Sequence, residues 1–296
     1  MKRTRNLILS TGLAVGLAVG FVACGQRGTQ TGSTEINDST ATGSRDSIEN
    51  ATENIVSVET VKYEKSDSTA EVSLMVQWPV EGNKILIDSL RHHIADLLET
   101  EIDGPKDIET YGEALFESLS EDWHSVYDEM DPEARMGAFA KSHDITVLAE
   151  TDRYITYFYN TYMFGGGAHG YTTEVGFTFR KSDGRQIPLL TDTESSKLAS
   201  LIKEGVRDFF SDGAEKPLTD EELLEYLFAE ELSTLDNIPL PANPPYLTKT
   251  GLVMLYTQYE IAPYSSGIIT FEIPFHEIRP FLTEEAKALI SNFADE

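Results

Sequence analysis

Apolar and polar residues alternate along most of this chain in two rhythms, and the rhythm changes mark its elements. Val56, Val58, Thr60 and Val61–Tyr63 read as a first strand. Ala70 to Trp78 alternates with period two and reads as a second. Pro79-Val80-Glu81-Gly82 is expected to turn the chain, and Asn83 to cap a helix from Lys84 to about Glu101. That helix carries Ile85, Ile87, Leu90, Ile94, Leu97 and Leu98 at helical spacing. A second helix is predicted over about 108–130, with Leu115, Leu119, Trp123 and Tyr127 four residues apart.

Asp144–Glu150 and Tyr154–Phe164 are both rich in β-branched and aromatic residues and read as strands, the second being the strongest in the chain. Gly165-Gly166-Gly167-Ala168-His169-Gly170 interrupts it, Tyr171–Phe179 resumes, and Lys181–Arg185 reads as a hairpin-type turn. Helices are expected from Asp192 or Thr193 to Phe210, and after Leu218, where acids fill the first turn. Pro239, Pro241, Pro244 and Pro245 mark an extended loop. Leu252–Tyr259 and Ile268–Ile273 are the last strands, followed by a short helix over His276–Phe281 and a terminal one over Thr283–Phe293. Strands joined by short turns, with helices between the groups, predict an α+β fold. Antiparallel sheets carry packed helices, as two subdomains or one fused core.

The N-terminus follows another pattern. Lys2, Arg3 and Arg5 precede an uncharged, largely apolar run that ends at Phe21-Val22-Ala23, directly before Cys24, the single cysteine. Charged start, apolar middle and small residue before the cut describe an export signal. It resembles bacterial lipoprotein signals, in which the cysteine after the cut is acylated and becomes the mature N-terminus. Phe21 departs from that pattern, which usually has an aliphatic residue there. The expectations are a signal peptide over 1–23 and lipid attachment at Cys24. Over 24–50 follows a flexible tether too poor in apolar residues to fold. The run is shorter than the ~20 residues that span a bilayer. With one cysteine, a disulfide within the chain is excluded.

Charge narrows the partners. Acidic residues number 50 against 23 basic ones, for a net charge of −27. Loss of residues 1–23, which hold three basic residues and no acidic one, would leave −30. Such a field repels nucleic acid and anionic lipid and favours basic partners or cations; it also simply aids solubility.

Two separated motifs carry a second resemblance. They are Gly166-Gly167-Ala168-His169-Gly170 after the aromatic strand, and Tyr259-Glu260-Ile261-Ala262-Pro263-Tyr264 followed by Ile273-Pro274-Phe275. Together they resemble the extracytoplasmic domain of RsiV-type anti-sigma factors, which also occurs in PdaC-type peptidoglycan deacetylases; Phe275 stands where that pattern has tyrosine. The resemblance implies a small PdaC-like region over 51–140 and an RsiV-like domain over 141–296. It further implies a site built from Gly166, Gly167, His169, Gly170, Glu260, Pro263 and Tyr264.

His169 reads either as a ligand contact or proton carrier, or as a backbone-bonded histidine that locks its loop. Glu260 reads as a carboxylate bonded to loop amides or to His169. Pro263, Tyr264 and Gly267 suit a bend. His276-Glu277-Ile278-Arg279-Pro280 begins like a zinc-protease helix, but Pro280 replaces the second histidine. His92 and His93 are adjacent and point ~100° apart on a helix. No phosphate loop or nucleophile elbow is present in the sequence.

The expectation is therefore a non-catalytic, lipid-anchored envelope protein with no cofactor and no metal. It would sit at the outer membrane facing the periplasm, and would bind a basic protein such as a lysozyme, or peptidoglycan, and no nucleic acid. A cell-wall glycan hydrolase or deacetylase-related enzyme, and a structural assembly lipoprotein, are the alternatives. An anti-sigma role is not expected, because only Met1–Asn6 precede the apolar run.

Overall fold

The computed structural model describes residues 55–228, 234–235 and 238–291. The signal peptide, Cys24 and the tether lie outside the described residues, as does the end of the terminal helix beyond Ser291. No helix among the described residues is long and apolar enough to cross a membrane.

The first hairpin forms where alternation predicts it. Strands β1 (Ser57–Ser66) and β2 (Ala70–Glu81) pair antiparallel. Their turn is fixed by Asp67, whose carboxylate accepts the amides of Thr69 (2.7 Å) and Ala70 (3.0 Å). Strand β2 continues through Pro79-Val80-Glu81, where a turn is expected from the sequence; the chain reverses at Gly82 and Asn83 instead.

Asn83 caps helix α1 (Lys84–Leu97), its Oδ1 accepting from Ile85 N (3.0 Å) and Leu86 N (3.4 Å). The buried stripe is Leu86, Leu90, Ile94 and Leu98, with Ile87 beside it, while Ile85 is exposed. A clean four-residue repeat runs from 86, one position later than the sequence reading began it. Helix α2 (Pro105–Tyr127) starts with proline at its first position, where no amide partner is lost. It buries Ile108, Phe116, Leu119, Trp123 and Tyr127.

Strand β3 (Phe139–Glu150) then pairs with β2 in parallel, from Ala70↔Phe139 to Val76↔Ile145. Strands β4 (Tyr154–Phe164) and β5 (Tyr171–Arg180) complete an antiparallel meander, giving the order β1-β2-β3-β4-β5. The expectation of antiparallel sheets thus holds at every pair but β2–β3. That pair is parallel because two helices carry the chain back to the starting end of the sheet. Residue 140, the expected domain boundary, falls inside β3, and the sheet draws strands from both sides of it. The described residues all fall in one compact unit.

Each face of this sheet meets a different core. Helices α1 and α2 cover one face over Val61, Leu74, Val76, Trp78, Ile145, Ile155 and Tyr157. The opposite face, at β4 and β5, receives a second sheet of β6 (Tyr246–Leu247), β7 (Gly251–Tyr256) and β8 (Ile269–Pro274). Hydrogen bonds tie the junction beside an apolar contact of Phe158 with Tyr246, Val253 and Leu255. Thr156 Oγ1 donates to Leu247 O (2.7 Å), Leu247 N donates to Thr178 Oγ1 (2.9 Å), and Tyr154 Oη donates to Thr248 O (2.5 Å). Helix α3 (Ser196–Ser211) packs on β8, and α4 (Asp220–Leu224), α5 (Phe275–Ile278) and α6 (Glu284–Leu289) close the second core.

Gly205 in α3 shows how tight that packing is. A Cβ there would stand 2.1 Å from Phe271 Cδ2. Alanine would gain ~1 kcal/mol of helix propensity, but overpacking costs ~1–3 kcal/mol. Gly205→Ala should therefore lower the melting temperature, where propensity alone would raise it.

Candidate functional site

The predicted site residues gather where the β4–β5 loop meets the segment after β7. Gly166 (φ 88°) and Gly167 (φ 97°) take left-handed conformations that side chains disfavour. At Gly166 a Cβ would also lie 2.8 Å from Tyr127 Oη. The loop thereby folds over the end of α2 and delivers His169 to the opposite side.

There His169 stacks on Tyr264, with ring centroids 3.8 Å apart and planes at 22°. Its Nδ1 is 3.0 Å from the carbonyl of Gly170, so Nδ1 carries the proton and donates. Nε2 is then an acceptor and faces Tyr259 Oη, at a long 3.4 Å. Tyr264 Oη donates to the same Gly170 carbonyl at 2.7 Å, and Gln258 Oε1 accepts the amide of Thr172 at 3.0 Å. Loop and segment are therefore laced together by side chains from both.

Glu260 does not meet His169. Its carboxylate is half-buried and accepts the amides of Ala242 (2.6 Å) and Thr257 (2.7 Å) and the hydroxyl of Thr257 (3.1 Å). Of the two roles considered for it, bonding to loop amides is the one seen. Its neighbour Tyr259 reaches the imidazole instead, from a backbone at φ 67°. A non-glycine residue there costs ~1–3 kcal/mol and persists only when its surroundings impose it. The Glu260 clamp on Thr257 imposes it here. Pro263 is exposed and opens the single turn Tyr264–Ser266, and Gly267 (φ 74°) ends that turn.

Tyr259, at the end of the strand predicted over Leu252–Tyr259, is not among the predicted site residues. The signal was Thr257-x-x-Glu260, the spacing of a reciprocal side chain–backbone cap. Chemically, the site offers an imidazole and two phenols on a pinned backbone, with Tyr259 about half exposed (52%) and His169 exposed. No group of three or more His, Cys, Asp or Glu residues is placed to hold a metal among the described residues.

The fold has relatives. Residues 199–276 match the model of a family described as a protein of unknown function, DUF3298. The chain carries a DUF3298 domain. Its matched segment runs from α3 to the start of α5 and contains Tyr259, Glu260, Pro263 and Tyr264, while the His169 loop precedes it. A crystal structure of a DUF3298 family member from Bacteroides fragilis NCTC 9343 is similar in fold, with TM-score 0.65 and 17% identity. The match covers 81% of this chain and 99% of that one. A DUF3298 family protein from Pseudomonas aeruginosa PAO1 matches with TM-score 0.52 and 12% identity, over 79% and 97%. No curated protein matches the chain.

Proposed function

We propose that this DUF3298-domain protein is a non-catalytic capture module of the bacterial cell envelope. It is tethered by lipid on Cys24 at the periplasmic side of the outer membrane, and it binds a basic, lysozyme-like protein on the surface of His169, Tyr259 and Tyr264. The observation that carries the reading is Tyr259, a half-exposed aromatic side chain held out on a strained backbone by the Glu260 clamp. Tyrosine on a rigid support is the typical anchor of a protein interface, because it buries large area at little entropic cost. The chain's charge of −27 favours a basic partner and acts chiefly on the rate of encounter. The RsiV-type resemblance supports the same class of partner.

Binding of a basic lysozyme to the full chain in detergent micelles, read by surface plasmon resonance, is the direct test. Tyr259→Ala should weaken it by about tenfold or more, an anchor-sized loss of ~1.4 kcal/mol or greater, mainly through faster dissociation. Raising the salt should slow association. Absence of binding at low salt would overturn the partner. The tether has its own test: palmitate labelling in cells should vanish in Cys24→Ser.

A further inference from the structure

The helix-side face of the large sheet is not covered to its end. Across β3, β4 and β5 the register places Ile145, Tyr159 and Val175 in one row, His143, Thr161 and Thr173 in the next, and Lys141, Met163 and Tyr171 in the last. The first row is buried beneath the helices. The other two floor an open cleft of about 220 Å³, whose far wall is Leu97–Glu99 at the end of α1 and Tyr111 of α2. The chemistry changes at that line: two aliphatic side chains and a phenol give way to an imidazole, two threonines, an amine, a thioether and a second phenol.

Three features make this a built cleft. His143 is 3% exposed, yet lines the cleft and stacks on Tyr159 at 11°. Its Nδ1 is 2.8 Å from Tyr159 Oη, and its Nε2 is 3.3 Å from Tyr111 Oη. Burial, with Lys141 nearby, holds the imidazole neutral well below its ordinary range, at about 4. A neutral ring has one N–H, so one phenol donates to it and the other accepts from it. The accepting phenol keeps its own proton for another partner. Finally, Glu99 takes a left-handed backbone (φ 54°) at the helix end, where glycine or asparagine is usual, and its side chain stands at the rim.

The lining selects the ligand. Glu99 and Lys141 put both signs of charge at the rim, so an ion of either sign meets a like charge. Thr173 and the phenol that keeps its proton can donate, and all three oxygens can accept, while Tyr171 and Met163 supply apolar surface. A volume below the ~300–1,000 Å³ of sites for drug-sized ligands admits one ring. We propose that this cleft is a sugar-binding site, which takes a single neutral pyranose residue at the end of a glycan. Its ring hydroxyls bond the threonine and tyrosine oxygens, and its apolar face lies on Tyr171.

The test uses the full chain in a detergent without a sugar head group, with N-acetylglucosamine and glucose as probes in saturation-transfer NMR. Transfer to at least one sugar is expected, with shifts in the His143 ring signals. Tyr171→Ala and Thr173→Val, both outside the packed core, should each weaken binding about tenfold with thermal unfolding unchanged. No transfer to either sugar at about 20 mM, or transfer undiminished in both variants, would overturn the proposal. Tyr259→Ala should leave sugar binding intact, so failure of the protein-capture reading and failure of this one are separable.

Discussion

Replacing Lys181 by methionine should destabilise the fold by about 3–5 kcal/mol, among the largest single-residue effects available in this chain. Lys181 follows β5 and is 3% exposed. Its ammonium lies 2.5 Å from the Glu150 carboxylate at the end of β3. The same oxygen of Glu150 accepts the amide of Val56, ahead of β1, at 2.8 Å. One ion pair therefore gathers the chain before β1, the end of β3 and the turn after β5. Removing the amine leaves the Glu150 carboxylate, mostly buried at 24% exposure, without its cation, and that uncompensated charge accounts for most of the loss. Adding Glu150→Gln should recover much of it, because the amide still accepts from Val56 N while the stranded charge is gone. Urea unfolding followed by tryptophan fluorescence would read both variants. A double variant no better than Lys181→Met would assign the loss to packing instead.

The second large effect is a loss of stability in mild acid, carried by two histidines. Burial pushes His93 down to about 4, and His143 likewise. His93 packs edge-on against Phe177 (4.2 Å) and Phe179 (5.2 Å), and its Nε2 has no hydrogen-bond partner among the described residues. Asp96 partly favours its charged form and His92 opposes it. Between pH ~6.5 and ~4 the unfolded chain binds protons that the folded chain refuses, so stability falls as pH falls through that window. By pH 4.5 each histidine contributes up to about 2.5 kcal/mol of loss. Asp144 and Glu174, whose burial raises their carboxyls, act in the opposite sense, as does relief of the net negative charge. The histidine term is therefore isolated by a variant. His93→Leu, of similar volume and without a polar atom, should be nearly neutral at pH 7.5 and should shrink the loss on going to pH 4.5 by about 2 kcal/mol. Equal losses in the two proteins would rule out His93 as the titrating group.

How far the sequence discloses this molecule depends on the range of the interaction involved. Strand β4 lies at Tyr154–Phe164 as its aromatic and β-branched content predicts, and Asn83 caps α1, because both are set by residues close in sequence. The parallel β2–β3 pair is invisible to any local pattern, since its partners lie 69 residues apart at every rung. Strand β6 has only two residues beside prolines and exists because Thr156 and Thr178 bond its backbone. The same holds at the sites. Sequence motifs locate His169 and Tyr264, but only tertiary structure shows that Tyr259, not Glu260, reaches the imidazole. His143 lies in no motif, and its cleft is defined by where the helices stop.

The parallel pair also sets an order for biogenesis. When residues 55–127 have emerged, β1, β2, α1 and α2 can form, but the inner edge of β2 has no partner until residues 139–145 arrive. For that interval a long strand with one apolar face presents unsatisfied amides and carbonyls, a template for mispairing with another chain. A nascent or translocating chain stalled between residues 130 and 139 should accordingly be the form most dependent on a holding chaperone.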